Sequence, residues 1–110
     1  MYNQGDIVLM PFPYSDLTGS KQRPALILSN QKLNVHSDRI CCLITSKPSE
    51  QGIQLPHSSF ETGNLPFQSW IKPFRLFTIH EQIIKKRLAT LSPNIHHKIL
   101  SEINDYLRLE

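Results

Sequence analysis

The chain has 110 residues, enough for one domain (residues 1–110) that buries a core of its own, and its composition is ordinary for a globular protein, 39% hydrophobic and 19% charged. A formal charge of +3 and a pI near 9.0 permit a nucleic-acid partner without requiring one. The apolar runs are too short to cross a bilayer, and Met1 to Asp6 lacks the basic and apolar regions of a secretory signal, so a cytoplasmic protein with no membrane contact is expected.

In chain order, Ile7-Val8-Leu9-Met10 is the first short apolar run, and its bounding Gly and Pro residues predict a strand. Pro11 to Gln22 follows. Its two prolines, its glycine and its small polar residues predict a loop, long enough for a binding element, in which Phe12 and Tyr14 could stack on bases or lid the core. Lys21-Gln22-Arg23-Pro24 then leads into a second apolar strand, Ala25 to Leu28. Proline fixes φ and has no N–H, so Pro24 suits the first residue of that strand. Arg23 is thereby a cation on a fixed backbone, suited to gripping a phosphate or carboxylate by two parallel hydrogen bonds.

The third strand, Ile40 to Ile44, contains the chain's two cysteines, Cys41 and Cys42. Neighbours in a strand point to opposite faces, so these read as two buried small hydrophobes rather than a disulfide or a metal site. The strand ends in Thr45-Ser46-Lys47, two hydroxyls and a cation. If the second and third strands pair antiparallel, Arg23 and Thr45 meet on one edge of the sheet. Lys47 to Gly52 and His57 to Pro66 read as loops. A weaker strand, Ser69 to Lys72, continues past Pro73 into Arg75 to Ile79, and the proline marks an edge or bulge at the join. Glu81 to Leu88 reads as a short helix with Ile83, Ile84 and Leu88 inward.

The last element is an amphipathic helix. Ser92 is the N-cap, Pro93 the first helical residue, and Ile95, Ile99, Ile103 and Leu107 the apolar stripe, with His96, His97 and Lys98 toward the other face. Strands apolar on both faces with a single convincing helix predict a tightly curved sheet or small barrel, its outer face covered by that helix and by a second subunit. Apart from Phe12 and Tyr14, the aromatics Phe60, Phe67, Trp70, Phe74 and Phe77 are expected in the core. The five histidines show no metal-ligand spacing, and no carboxylate pair, phosphate loop or nucleophile elbow is present, so no metal and no cofactor are expected.

The pattern Gly5-Asp6-Ile7-Val8-Leu9, Pro13, Lys21 to Ser29 and Ile44-Thr45-Ser46, with Ser69-Trp70-Ile71-Lys72, Phe77-Thr78-Ile79 and the C-terminal helix, resembles the MazF/PemK family of toxin endoribonucleases across nearly the whole chain. The resemblance implies a mainly β fold, an SH3-like small barrel of the PemK/CcdB toxin type with a C-terminal helix, assembled as a homodimer. It implies a type II toxin that cuts single-stranded RNA without a metal, leaving 2′,3′-cyclic phosphate and 5′-hydroxyl ends and so arresting translation. It makes Arg23 and Thr45 the catalytic residues. Around them, Tyr14, Ser20, Lys21 and Gln22 from the loop, Ser46 and Lys47 beyond Thr45, and Arg75 are expected to contact RNA. The implied inhibitor is an antitoxin with a flexible acidic tail, with which such toxins bind DNA. The chain departs from relatives in two places: Thr18 to Gln22 stands where several have a glycine-rich run, and Phe77 stands where others carry an arginine, beside Arg75. A gyrase-binding toxin of CcdB type and a catalytically silent RNA binder are the alternatives.

Overall fold

The computed structural model describes residues 1–12 and 21–110. Strand β1 (Asp6–Phe12) pairs antiparallel with β2 (Lys21–Ile27), and a one-turn helix α1 (Gln31–Asn34) leads to β3 (Asp38–Thr45). A short β4 (Ile53–Leu55), a 3₁₀ turn (His57–Ser59) and β5 (Phe60–Gly63) follow. Then come the long β6 (Ser69–His80), a second 3₁₀ turn (Glu81–Ile83), β7 (Lys86–Leu91) and the helix α2 (Pro93–Leu107). All seven strands join one curled antiparallel sheet in the order β4-β6-β3-β2-β1-β7-β5. This is the mainly β architecture with a C-terminal helix that the resemblance implies.

The central strands are buried on both faces, as their unbroken apolar runs predict. One core cluster joins Ile7, Leu26, Cys42, Ile44 and Ile71 to Ile99 and Ile103 of α2. A second cluster on the other face gathers Val8, Met10, Phe12, Ala25, Ile27 and Cys41, with Phe77 packed against it. Cys41 and Cys42 are both free and buried, one in each cluster. Burial pushes the Cys41 thiol up to about 12 and the Cys42 thiol higher still, so neither is a ready nucleophile. Truncating the fully buried Ile99 to alanine would cost roughly 2–5 kcal/mol.

Four expectations are corrected. Glu81 to Leu88 is not a helix: one 3₁₀ turn gives way to β7, because Lys86, Arg87 and Ala89 find partners on β1. The expected loop His57 to Pro66 contains β5, which pairs with β7. Gly63 is what lets them meet, since it has a φ of +69° and a Cβ there would collide with the Leu88 carbonyl oxygen. The helix stripe is rotated from its expected position: His96, Ile99 and Ile103 are buried, whereas Leu107 is exposed. His96 therefore faces inward, and neither of its ring nitrogens has a hydrogen-bond partner among the described residues. Finally, Phe67 and Phe74 are exposed rather than core, and Phe12 ends β1 rather than lying in the loop, its side chain buried as the core alternative expects.

At the opposite end of β3 from Thr45 lies Arg39, wholly buried and not singled out by its sequence context. Its guanidinium donates to the carbonyls of Tyr2 (3.1 Å), His36 (2.7 Å) and Asp38 (2.9 Å) and to Glu81 Oε2 at 3.0 Å. It ties the N-terminus, the segment after α1 and the 3₁₀ turn to β3.

Candidate functional site

β2 and β3 pair only at Ala25 with Leu43, Leu26 with Cys42 and Ile27 with Cys41. Continued by two residues, that register sets Arg23 against Thr45, the antiparallel meeting expected from sequence. The ladder stops short of that point. Pro24 has no N–H to give it, and from Lys21 to Pro24 the strand pairs only with β1. Thr45 is held from its other side by Trp70 of β6. The two strands thus part, and Pro24 marks the fork rather than the start of β2, which begins three residues earlier at Lys21.

A cavity of about 250 Å³ occupies the fork, lined by Phe12, Arg23, Leu43, Thr45, Lys47, Lys72 and Arg75. A bulge in β6 brings the last two there. β3 residue Cys42 pairs with Leu76 and the next residue, Leu43, with Lys72, so Pro73, Phe74 and Arg75 have no partners on β3. Proline is tolerated there for want of a ladder bond to make, as expected for the join. Phe77 fills the second core cluster instead, packing edge-to-face on Phe12 with ring centroids 5.3 Å apart. Arg75, with Lys72, is therefore a cation that this strand presents to the cavity.

Thr45 is buried, and its Oγ1 accepts a hydrogen bond of 3.1 Å from the Lys47 backbone N–H. The threonine proton remains available to donate. Arg23 is half-buried, and neither ion pair among the described residues, Arg39 with Glu81 or Arg87 with Asp6, involves Arg23, Lys47, Lys72 or Arg75. The described lining holds four cations and no carboxylate. Cations with no ion-pair partner among the described residues, set around a fixed hydroxyl, suit an anion, and the guanidinium geometry favours a phosphate or carboxylate.

Arg23 also lines a second cavity, of about 440 Å³, with Lys21, Gln22, Ser46, Phe67 and Lys86 among its walls. Seven of the residues expected at the site, Arg23, Thr45, Lys21, Gln22, Ser46, Lys47 and Arg75, thus line two cavities that meet at Arg23. Tyr14 and Ser20 lie outside the described residues. Lys72, Lys86 and Phe67 escaped the sequence reading. Lys86 fell in a segment read as helix, and Phe67 was assigned to the core by residue type. Among the described residues no group of three or more His, Cys, Asp or Glu is placed to hold a metal ion, and no helix is long and apolar enough to cross a membrane.

The chain superposes along its whole length on an endoribonuclease from a mycobacterial species, solved with its cognate antitoxin, at a TM-score of 0.80 and 18% identity, covering 100% of this chain and 98% of that one. A MazE-MazF complex from Deinococcus radiodurans gives 0.78 at 18% identity, covering 99% and 98%. The Mycobacterium tuberculosis toxin MazF-mt6 gives 0.74 at 16%, covering 96% and 98%. At such identities these establish the shared fold. No curated protein matches the sequence. The family match is direct: residues 3–107, which include both arms of the fork, the bulge and the whole of α2, fit the PemK-like, MazF-like toxins. The chain that builds this cationic fork belongs to the PemK-like, MazF-like toxin family of type II toxin–antitoxin systems.

Proposed function

We propose that this toxin, with the whole chain as one domain, is a sequence-selective endoribonuclease that cuts single-stranded RNA and so blocks translation and growth. The observation that carries the reading is the cavity in which Arg23 and Thr45 face each other across parted strands, ringed by Lys47, Lys72 and Arg75. Solved relatives described as endoribonucleases share the fold that builds it.

In the reaction the ribose 2′-oxygen attacks the neighbouring phosphorus. The O2′–P bond forms and the P–O5′ bond breaks, the 2′-hydroxyl gives up its proton and the 5′-oxygen gains one. The products are a 2′,3′-cyclic phosphate and a 5′-hydroxyl end. Negative charge accumulates on the phosphoryl oxygens along the way. Arg23 meets that charge with two N–H donors in a fixed fork and can donate to the departing 5′-oxygen; Thr45 adds a neutral O–H. Because both sit on strands, little reorganisation is needed at the moment of reaction. The cavity's cations take the electrostatic role that a metal plays in other nucleases, so the reaction is proposed to run without one.

A homodimer in the cytoplasm, inhibited by an antitoxin whose flexible acidic tail occupies the same cationic cavities, completes the reading. Relatives solved with an antitoxin support that partner. The decisive experiment incubates the pure protein with a mixed RNA in EDTA and maps cut sites and end chemistry. Specific cuts with cyclic phosphate ends are expected. Intact RNA, or cutting that returns only with added metal, would overturn the reading.

A further inference from the structure

The Arg23 cavities continue into a third, and Phe67 is the wall between. The second cavity, with Lys21, Arg23 and Lys86 on one side, is closed on the other by Leu65, Pro66 and Phe67. The same three residues line a neighbouring cavity of about 300 Å³, whose other walls include Gln54, His57 and Gln68. A lone exposed phenylalanine needs no explanation. This one is different because of how it is held. The residue is 72% exposed, yet Leu65 two residues before it is buried, and its own carbonyl accepts a hydrogen bond of 2.8 Å from Ser69 Oγ. The preceding Pro66 stiffens the chain further. A bare aromatic face on a fixed backbone, beside three cations, suits a nucleobase whose phosphates lie on those cations.

The chemistry changes across the ring. On the Arg23 side the polar groups include three cations, which hold a backbone and carry no base information. On the far side the polar side chains are two amides and an imidazole over the apolar Leu55 and Phe60. Amides present donors and acceptors together, the complement of a base edge.

We propose that Phe67 is a stacking platform for an unpaired RNA base near the scissile phosphate, and that the Gln54–His57–Gln68 pocket beyond it reads a base edge, which makes this pair of features a specificity site. The inference rests on the endoribonuclease reading and deepens it.

The test walks 2-aminopurine through an oligoribonucleotide spanning a mapped cut site, bound to the Arg23→Ala protein so that the strand stays whole. Quenching is expected at one position near the cut. It should disappear when Phe67→Ala is added and return with Phe67→Trp. In the cleaving protein, Phe67→Ala is expected to raise KM about tenfold, the low end of a lost base–aromatic stack, and to relax sequence preference, with kcat little changed. Gln54→Ala with Gln68→Ala should alter base preference at one position. If wild type cleaves RNA while Phe67→Ala leaves KM, preference and quenching unaltered, the stacking site is wrong and the enzyme reading stands. If wild type neither cuts nor binds RNA, both fail. If Phe67→Ala changes the sedimentation coefficient in step with its KM, Phe67 is a contact between copies of the chain and the inference is overturned.

Discussion

Arg39 and Arg23 lie near opposite ends of neighbouring strands, and their surroundings could hardly differ more. Arg39 is sealed in and engages three carbonyls and a carboxylate. Arg23 is half-open, has no ion-pair partner among the described residues, and faces a cavity shared with other cations. One arginine is spent on holding the fold; the other is held by the fold and left for something that binds. Burial and charge alone would have picked Arg39 as the unusual residue. What marks the site is a cluster of cations with no ion-pair partner among the described residues.

Substitutions at the two arginines should therefore separate activity from stability. Arg23→Ala is expected to lower RNA cleavage on the order of a thousandfold while leaving the thermal midpoint within a degree or two, because the side chain makes no ion pair among the described residues. Full cleavage by this variant would end the assignment of the site. Arg39→Ala should do the reverse. Orphaning three carbonyls and emptying a buried volume is expected to cost about 3 kcal/mol in urea titrations, with cleavage per folded molecule preserved. If Arg39→Ala abolished cleavage in a fully folded sample, the contrast would collapse.

Thr45→Val keeps the shape and removes the hydroxyl. A loss on the order of a hundredfold in kcat is expected, as for other preorganised donors. Arg75→Ala should have a milder effect, about tenfold in kcat/KM with a shallower salt dependence of RNA binding, as one phosphate-facing cation is lost. No change in either would mean that the β6 bulge delivers its arginine to solvent alone.

The smallest expected effect concerns His96, which lines a separate cavity with Gln4, Gly5, Glu61, Thr90 and His97. Burial penalises its imidazolium and lowers its pKa from the ordinary 6.5. The folded protein thus binds this proton less readily than the unfolded chain. Stability from this group is fully present above about pH 6.5 and declines as the pH falls toward the depressed folded value. Denaturation midpoints for wild type and His96→Phe, taken from pH 7.5 to 5, should diverge in acid, wild type losing stability relative to the variant as the pH falls. Parallel curves would show that the imidazole takes its proton without penalty.

Much of this was legible in the chain itself. The three apolar runs could only be buried strands, and Ser92-Pro93 followed by isoleucines at helical spacing could only open an amphipathic helix. The meeting of Arg23 with Thr45 followed from one antiparallel pairing. What escaped depended on partners distant in sequence. β5 and β7 have little strand character of their own, since Lys86-Arg87 and Glu61 favour no sheet; they are strands because each completes the other's ladder beside β1. His96 lies a single helical step from Ile95, and the seating of α2 buries the histidine while Ile95 packs half-buried against the core. Phe67 has the composition of a core residue, and nothing local tells that Pro66 and Ser69 hold its ring out in the open.

The parting of β2 and β3 at Pro24 has a mechanical consequence. Arg23 rides on an arm braced by β1, and Thr45 on an arm braced by β6; three residue pairs, Ala25 to Ile27 with Cys41 to Leu43, form the hinge between them. Among the described residues no ion pair ties down Arg23, so the gap between guanidinium and hydroxyl follows the angle of the two arms. A partner that wedged the arms apart by an ångström would silence the site without touching either side chain, and one that clamped them would sharpen it.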